Sequence, residues 1–74
     1  MNGQTIRLAN LFRNSPMLEI PAIKLHPVGA GKDNGFCASL SRRISDLRKM
    51  GMNVEKTRDE YVDGQRQTAY TYFP

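Results

Sequence analysis

The chain has 74 residues, 39% hydrophobic and 24% charged, which is enough for one small domain over residues 1–74 with a modest core. Its 11 basic and 7 acidic residues give a net charge of +4, a moderate excess that fits an anionic partner without requiring one. The single cysteine, Cys37, excludes an internal disulfide, and no stretch is apolar enough for a signal peptide or membrane span. We therefore expect a cytoplasmic protein with no membrane partner.

The first predicted element is a helix at about residues 4–13. The sequence "GQTIRLANLFR" places its apolar side chains with a mostly helical spacing, at Ile6, Leu8, Ala9, Leu11 and Phe12. A polar and proline-containing stretch, Asn14-Ser15-Pro16, follows and ends the helix.

A second helix is predicted at about residues 16–25. Ser15 can cap its start, and Pro16 then occupies the first helical position, where a missing N–H is tolerated. Pro21 lies inside this segment and must either kink the helix or limit it to about one and a half turns. The next stretch, 26–35, contains three glycines and a proline and is predicted to be a flexible loop. Its "GAGKD" lacks the residue spacing of a phosphate-binding loop.

The third predicted helix, at about residues 36–50, is amphipathic. At about 100° per residue, one face carries Cys37, Leu40, Ile44 and Leu47, with Met50 beside it. Arg43 and Arg48 flank this apolar stripe, and the opposite face carries Ala38, Ser41, Arg42, Ser45 and Lys49. Asp33 or Asn34 can cap the start, and Gly51 is the residue expected just past the end.

The polar face of this helix has an unusual composition. A solvated face normally mixes Glu with Lys at i,i+4 spacing, whereas Asp46 is the helix's only acidic residue. Hydroxyl groups and guanidinium groups predominate instead, and such side chains reach phosphates and guanine edges.

A β-hairpin is predicted over about residues 52–73, with its turn at Asp63-Gly64. A two-residue turn pairs Val62 with Gln65 and leaves Val54 and Tyr72 on opposite faces. A three-residue turn, with Gly64 in a G1 bulge, pairs Tyr61 with Gln65 and brings Val54 opposite Tyr72 and Lys56 opposite Tyr70. Only this second register gathers the apolar residues on one face, so we expect it. Those residues are Met52, Val54, Tyr70 and Tyr72.

The segment "RRISDLRKMGMNVEKT" (42–57), followed by an Asp-Gly turn and a terminal "AYTYF", resembles the small winged helix-turn-helix DNA-binding proteins of bacteriophages and prophages. The resemblance covers about residues 37–73. It implies an α+β winged helix-turn-helix fold, with three helices followed by a C-terminal β-hairpin wing. Residues 36–50 would then be the recognition helix and 52–73 the wing.

The function implied by this resemblance is sequence-specific binding of double-stranded DNA, in transcriptional regulation or in a phage DNA transaction such as excision or replication. Arg42 is then the leading base reader, because its guanidinium fits guanine O6 and N7. The hydroxyls of Ser39, Ser41 and Ser45 would contact phosphates or base edges, and Arg43 and Lys49 would contact phosphates. On the wing, the backbone-contacting residues would be Lys56, Arg58 and Arg66. A single short domain reads few base pairs, so a homodimer or tandem binding would supply useful specificity.

Each of these residues also has a structural interpretation. Arg43 and Arg48 can cover the apolar stripe or pair with Asp46, Glu55 or Asp59, and Cys37 fits a small buried side chain. The sequence shows neither catalytic nor metal-ligand spacing, so we expect no enzyme activity, cofactor or metal. The alternative function is a winged-helix protein-interaction module that does not bind DNA. The acidic residues of the hairpin favour it: Glu55, Asp59, Glu60 and Asp63.

Overall fold

A computed structural model describes residues 3–32, 35, 37 and 39–74. These residues form an α+β structure with three helices and a three-stranded antiparallel sheet. The order along the chain is α1 (Gly3–Asn14), β1 (Ile20–Pro21), α2 (Ala22–Ala30), α3 (Leu40–Lys49), β2 (Val54–Val62) and β3 (Gln65–Tyr72). The strand order in the sheet is β1-β3-β2. The α+β class is as predicted, but a strand that the sequence did not indicate lies between the first two helices.

The first helix confirms its prediction to within a residue at each end. Its buried face consists of Thr5, Leu8, Ala9 and Phe12, which recur at the spacing of successive helical turns. Leu8 and Phe12 are fully buried and form part of the core between the helices and the sheet.

The predicted second helix at 16–25 is wrong in its position. Met17 has a left-handed backbone with φ of 63°, and its N–H donates to the Tyr72 carbonyl at 2.8 Å. Ile20–Pro21 then forms β1, opposite Tyr70 and Ala69 of β3. Pro21 does not kink a helix but precedes one, because its extended conformation makes it the N-cap residue of α2. Ser15 and Pro16 therefore do not begin a helix.

The predicted loop at 26–35 is wrong over residues 26–30, which belong to α2 despite Pro27 inside the helix. Burial of Leu25 and Gly29 outweighs the poor helix propensity of proline and glycine here. A Cβ at residue 29 would lie 2.9 Å from the Cys37 sulfur, so this close approach requires glycine. Gly31 ends the helix in the left-handed conformation at φ of 75°.

The third helix begins later than predicted, at Leu40 rather than at about residue 36. Ser39 precedes it with φ of 59°, and Cys37 lies outside any helix. The predicted caps Asp33 and Asn34 lie outside the described residues. The predicted buried face is confirmed at Leu40, Ile44 and Leu47, and the helix ends before Gly51, as expected.

The hairpin confirms the predicted pairs Val54–Tyr72 and Lys56–Tyr70, but the predicted three-residue turn is wrong. Asp63 and Gly64 have φ of 52° and 79°, and Val62 pairs with Gln65 across a two-residue turn. The extra residue is Thr57, at a bulge between Lys56 and Arg58. The bulge shifts the register by one residue, which brings the apolar side chains at the hairpin base onto the core face.

The core lies where the three helices meet the base of the hairpin, while the far part of the hairpin is exposed. The residues that the sheet contributes to the core include Ile20, Val54 and Tyr70. Arg48 links helix to sheet, because its Nε donates to the Val54 carbonyl at 2.8 Å. Within the described part of the chain, no helix has the length and apolarity needed to cross a membrane.

Candidate nucleic-acid interface

The outward face of α3 carries two basic side chains that are not committed to a carboxylate. Arg42 and Lys49 are exposed and lie roughly opposite the buried stripe of Leu40, Ile44 and Leu47. The ion pairs among the described residues include neither of them. The half-buried Ser45 lies between them on the same face. This face therefore presents a short cationic row to solvent.

The hydroxyls predicted to join this row lie at the start of the helix. Ser39 and Ser41 are both exposed. Ser39 occupies the N-cap position with a left-handed backbone, and its side chain makes no capping hydrogen bond. Its carbonyl accepts the N–H of Arg42 at 2.9 Å. The Ser39 side chain is thus exposed at the start of α3, at the Arg42 end of the row.

Arg43 does not join this face, although the sequence made it a candidate phosphate contact. Its side chain is only 11% exposed, and its Nε lies 3.5 Å from Asp46 Oδ2. The hydroxyl of Thr5 donates to the same carboxylate oxygen at 3.3 Å. Arg43 thus pairs with Asp46 within α3, as the structural interpretation of this arginine anticipated, and Asp46 connects α3 to α1 through Thr5.

The three basic side chains of the hairpin all contact carboxylates. Arg66 donates from Nε to Asp59 Oδ1 and from Nη2 to Asp59 Oδ2, both at 2.8 Å. Lys56 Nζ lies 3.9 Å from the same carboxylate. Arg58 Nε lies 3.1 Å from Glu19, in the segment before β1, and 3.8 Å from Glu60.

The ion pair between Arg66 and Asp59 shifts the ionisation of both groups. The two hydrogen bonds from the guanidinium lower the pKa of the Asp59 carboxyl, and the nearby charges of Arg66 and Lys56 act in the same direction. The same bonds raise the pKa of Arg66. Both groups are solvent-exposed, so these shifts report local pairing and carry little stability.

Charge is divided unevenly between the two parts of the molecule. Residues 54–72 carry three basic and four acidic side chains, a net charge of −1. The whole chain carries +4, so the remaining residues account for +5. The excess positive charge therefore belongs to the helical part, which includes the row on α3.

Cys37 is fully buried, and burial raises the pKa of its thiol despite the opposing charges of Arg43 and Arg7. Its backbone N–H donates to Nδ1 of His26 at 3.2 Å, which connects Cys37 to α2. No group of three metal-binding side chains is present in the described ranges. Cys37 therefore acts as a small buried side chain.

Two contacts in the structure carried no signal in the sequence. Glu19 lies in an irregular segment, so nothing local places it beside Arg58. Arg7 donates from Nε and Nη2 to the Gly29 carbonyl, at 2.9 and 2.7 Å, and these bonds depend on how α1 packs on α2.

The chain matches no protein-family model, no curated protein and no solved structure.

Proposed function

We propose that this protein is a winged helix-turn-helix protein of the bacteriophage or prophage type that binds specific sites on double-stranded DNA. Its role would lie in transcriptional regulation or in a DNA transaction such as excision or replication. The observation that carries the proposal is the outward face of α3, where Arg42 and Lys49 are exposed and take part in none of the ion pairs among the described residues. The hairpin that follows α3 is compatible with a wing.

The dimensions of α3 suit insertion into the major groove. Ten residues at 1.5 Å each give a helix about 15 Å long, and the groove is about 12 Å wide. The apolar face of α3 is held against the core by Leu40, Ile44 and Leu47, so the opposite face is free to approach DNA.

The roles within this face follow from reach and chemistry. Arg42 presents the planar fork that matches guanine O6 and N7, and we assign it to base reading. Lys49, near the end of the helix, is assigned to a phosphate. The shorter side chains of Ser39, Ser41 and Ser45 permit close approach of the helix and can bond to phosphates or base edges.

The proposal is tested by selecting bound sequences from a random duplex pool. Arg42→Ala is then titrated by fluorescence anisotropy against selected and scrambled duplexes. We expect the variant to lose about 1–3 kcal/mol of preference for the selected site. Arg13→Ala is the matched control, because it removes the same charge from an exposed position on α1 rather than α3. Equal losses in both variants, or no salt-sensitive binding by the wild-type protein, would overturn the proposal.

A second candidate function, a winged-helix protein-interaction module, is favoured by a different surface. Met17, Leu18 and Ile23 are exposed at 65%, 57% and 79%, and Leu18 also lines a groove of about 350 Å³. The groove is lined mainly by apolar side chains, including Leu11, Leu18, Ile20 and Val28. Exposed apolar surface of this kind marks interaction sites. Under this alternative, Leu18→Lys would abolish partner binding, and Arg42→Ala would leave it unchanged.

A further inference from the structure

The hairpin pairs its own basic side chains with acidic ones, and Asp59 is the centre of this pairing. Its two carboxylate oxygens accept both arms of the Arg66 guanidinium at 2.8 Å, and Lys56 lies 3.9 Å away. Along the ladder Asp59 is opposite Thr68, so Arg66 is its diagonal neighbour two residues away on the same face. The pairing is therefore built into the strand register.

This geometry affects how the hairpin meets DNA. A guanidinium uses the same planar fork for a carboxylate as for a phosphate, so Arg66 cannot offer that fork to both at once. Moving Arg66 to a phosphate would also leave the charged Asp59 beside the DNA backbone, where like charges repel. Asp59 thus opposes phosphate contact in two ways.

Phosphate contacts supply most of the affinity of a protein for non-specific DNA, whereas base contacts distinguish one site from another. We infer that Asp59 is a specificity-determining residue of the DNA complex, because it withholds Arg66 and Lys56 from the phosphate backbone. The hairpin then adds little sequence-independent affinity, and the outward face of α3 decides the choice of site. This inference rests on the proposed DNA-binding function.

The chain offers a matched control for Asp59. Asp63 lies at the turn of the same hairpin, is exposed, and takes part in none of the ion pairs among the described residues. Asp59→Asn and Asp63→Asn therefore remove the same charge from the same hairpin, but only Asp59→Asn releases two cations.

The experiment is an anisotropy titration of both variants against a mixed-sequence duplex and a selected duplex at several salt concentrations. We expect Asp59→Asn to bind the mixed-sequence duplex on the order of threefold to tenfold more tightly than Asp63→Asn does. Its plot of log affinity against log salt should steepen by about one to two units, at roughly 0.9 for each additional phosphate that the hairpin neutralises. The ratio of specific to non-specific affinity should fall.

Two further variants serve as controls for this interpretation. Asp59→Ser should reproduce Asp59→Asn, and the double variant Asp59→Asn/Arg66→Gln should lose most of the increase in affinity. Equal behaviour of Asp59→Asn and Asp63→Asn, with wild-type binding still dependent on Arg42, would overturn this inference and leave the proposed function standing. Absence of wild-type binding to any duplex would overturn the proposed function and this inference with it.

Discussion

Four arginines of this small domain perform different tasks, although the sequence presents them alike. Arg42 faces solvent, and Arg43 is nearly buried beside Asp46. Arg48 donates to the Val54 carbonyl, and Arg66 is held by Asp59 through two bonds. An arginine side chain combines a long apolar stem with five N–H donors. Its surroundings therefore decide whether it covers a core, connects two elements or stays exposed to solvent.

Substitutions at Gly64 measure backbone strain without a contribution from steric overlap. Its φ is 79°, and nothing lies within 4 Å of a Cβ built there, so strain alone opposes a larger side chain. We expect Gly64→Val to destabilise the protein by about 1–3 kcal/mol, measured by urea denaturation. Gly64→Asn should lose less, because asparagine tolerates the left-handed conformation. Equal losses for both variants would show that the turn is not held in this conformation.

The ionisation of Asp59 gives a second prediction at the residue scale. Because Arg66 lowers the pKa of this carboxyl below 3.8, the small stabilisation that the ion pair gives the hairpin is present above that value. The stabilisation is lost as the pH falls through the lowered pKa. Carbon-detected NMR titration should place the Asp59 midpoint below 3.8, and Arg66→Gln should raise it. An unchanged midpoint in the variant would show that the pair does not persist in solution.

Among the elements, α3 depends most clearly on its buried stripe. Leu47 is fully buried against the core. Leu47→Ala should destabilise the domain by about 2–5 kcal/mol, through lost burial and the cavity left behind. Arg42→Ala, on the exposed face of the same helix, should leave the melting temperature nearly unchanged. Thermal unfolding followed by circular dichroism distinguishes the two, and strong destabilisation by the arginine change would mean that the helix is rotated from this position.

The connection between α3 and β2 contains one side-chain hydrogen bond that can be tested separately. Arg48 Nε donates to the Val54 carbonyl at 2.8 Å. Arg48→Met keeps most of the apolar stem and removes the donor, so we expect a loss of about 1 kcal/mol. Lys49→Met, an exposed position next along the helix, should stay within about 0.5 kcal/mol of wild type. Urea denaturation checks both values, and indistinguishable variants would show that this bond does not stabilise the junction.

For the whole molecule, the division of charge has a measurable consequence. The helical part carries the positive excess, and the hairpin is close to neutral at −1. Counterions leave DNA when bound cations neutralise its phosphates, and we expect the ion-paired cations to neutralise few of them. The proposed DNA binding should therefore give a slope of log affinity against log salt of about −2 to −4. This slope is much shallower than the one that phosphate contacts by all 11 basic residues would produce. Anisotropy titrations at several salt concentrations measure it, and a slope steeper than about −6 would mean that the hairpin cations also contact phosphates.

Local chemistry in the sequence predicted the parts of this fold that depend on short-range patterns. The apolar spacing of α1 predicted a helix, and that of α3 predicted the buried face at Leu40, Ile44 and Leu47, since a helix turns by a constant angle per residue. The Asp63-Gly64 pair defined the position of the turn, because both residues accept positive φ. The requirement that Val54 and Tyr72 share a face gave the correct base register even though the predicted turn length was wrong.

The remaining features depend on contacts between segments distant in the chain, and only the tertiary structure decided them. Ile20–Pro21 is a strand because β3 offers it a partner, and α2 accommodates Pro27 because packing outweighs propensity. The bulge at Thr57 reconciles a two-residue turn with an apolar hairpin base, which no local signal required. The sequence by itself thus determined which residues are basic and which helix face is polar. The fold decided which of those charges are paired, because pairing depends on distances that only packing sets.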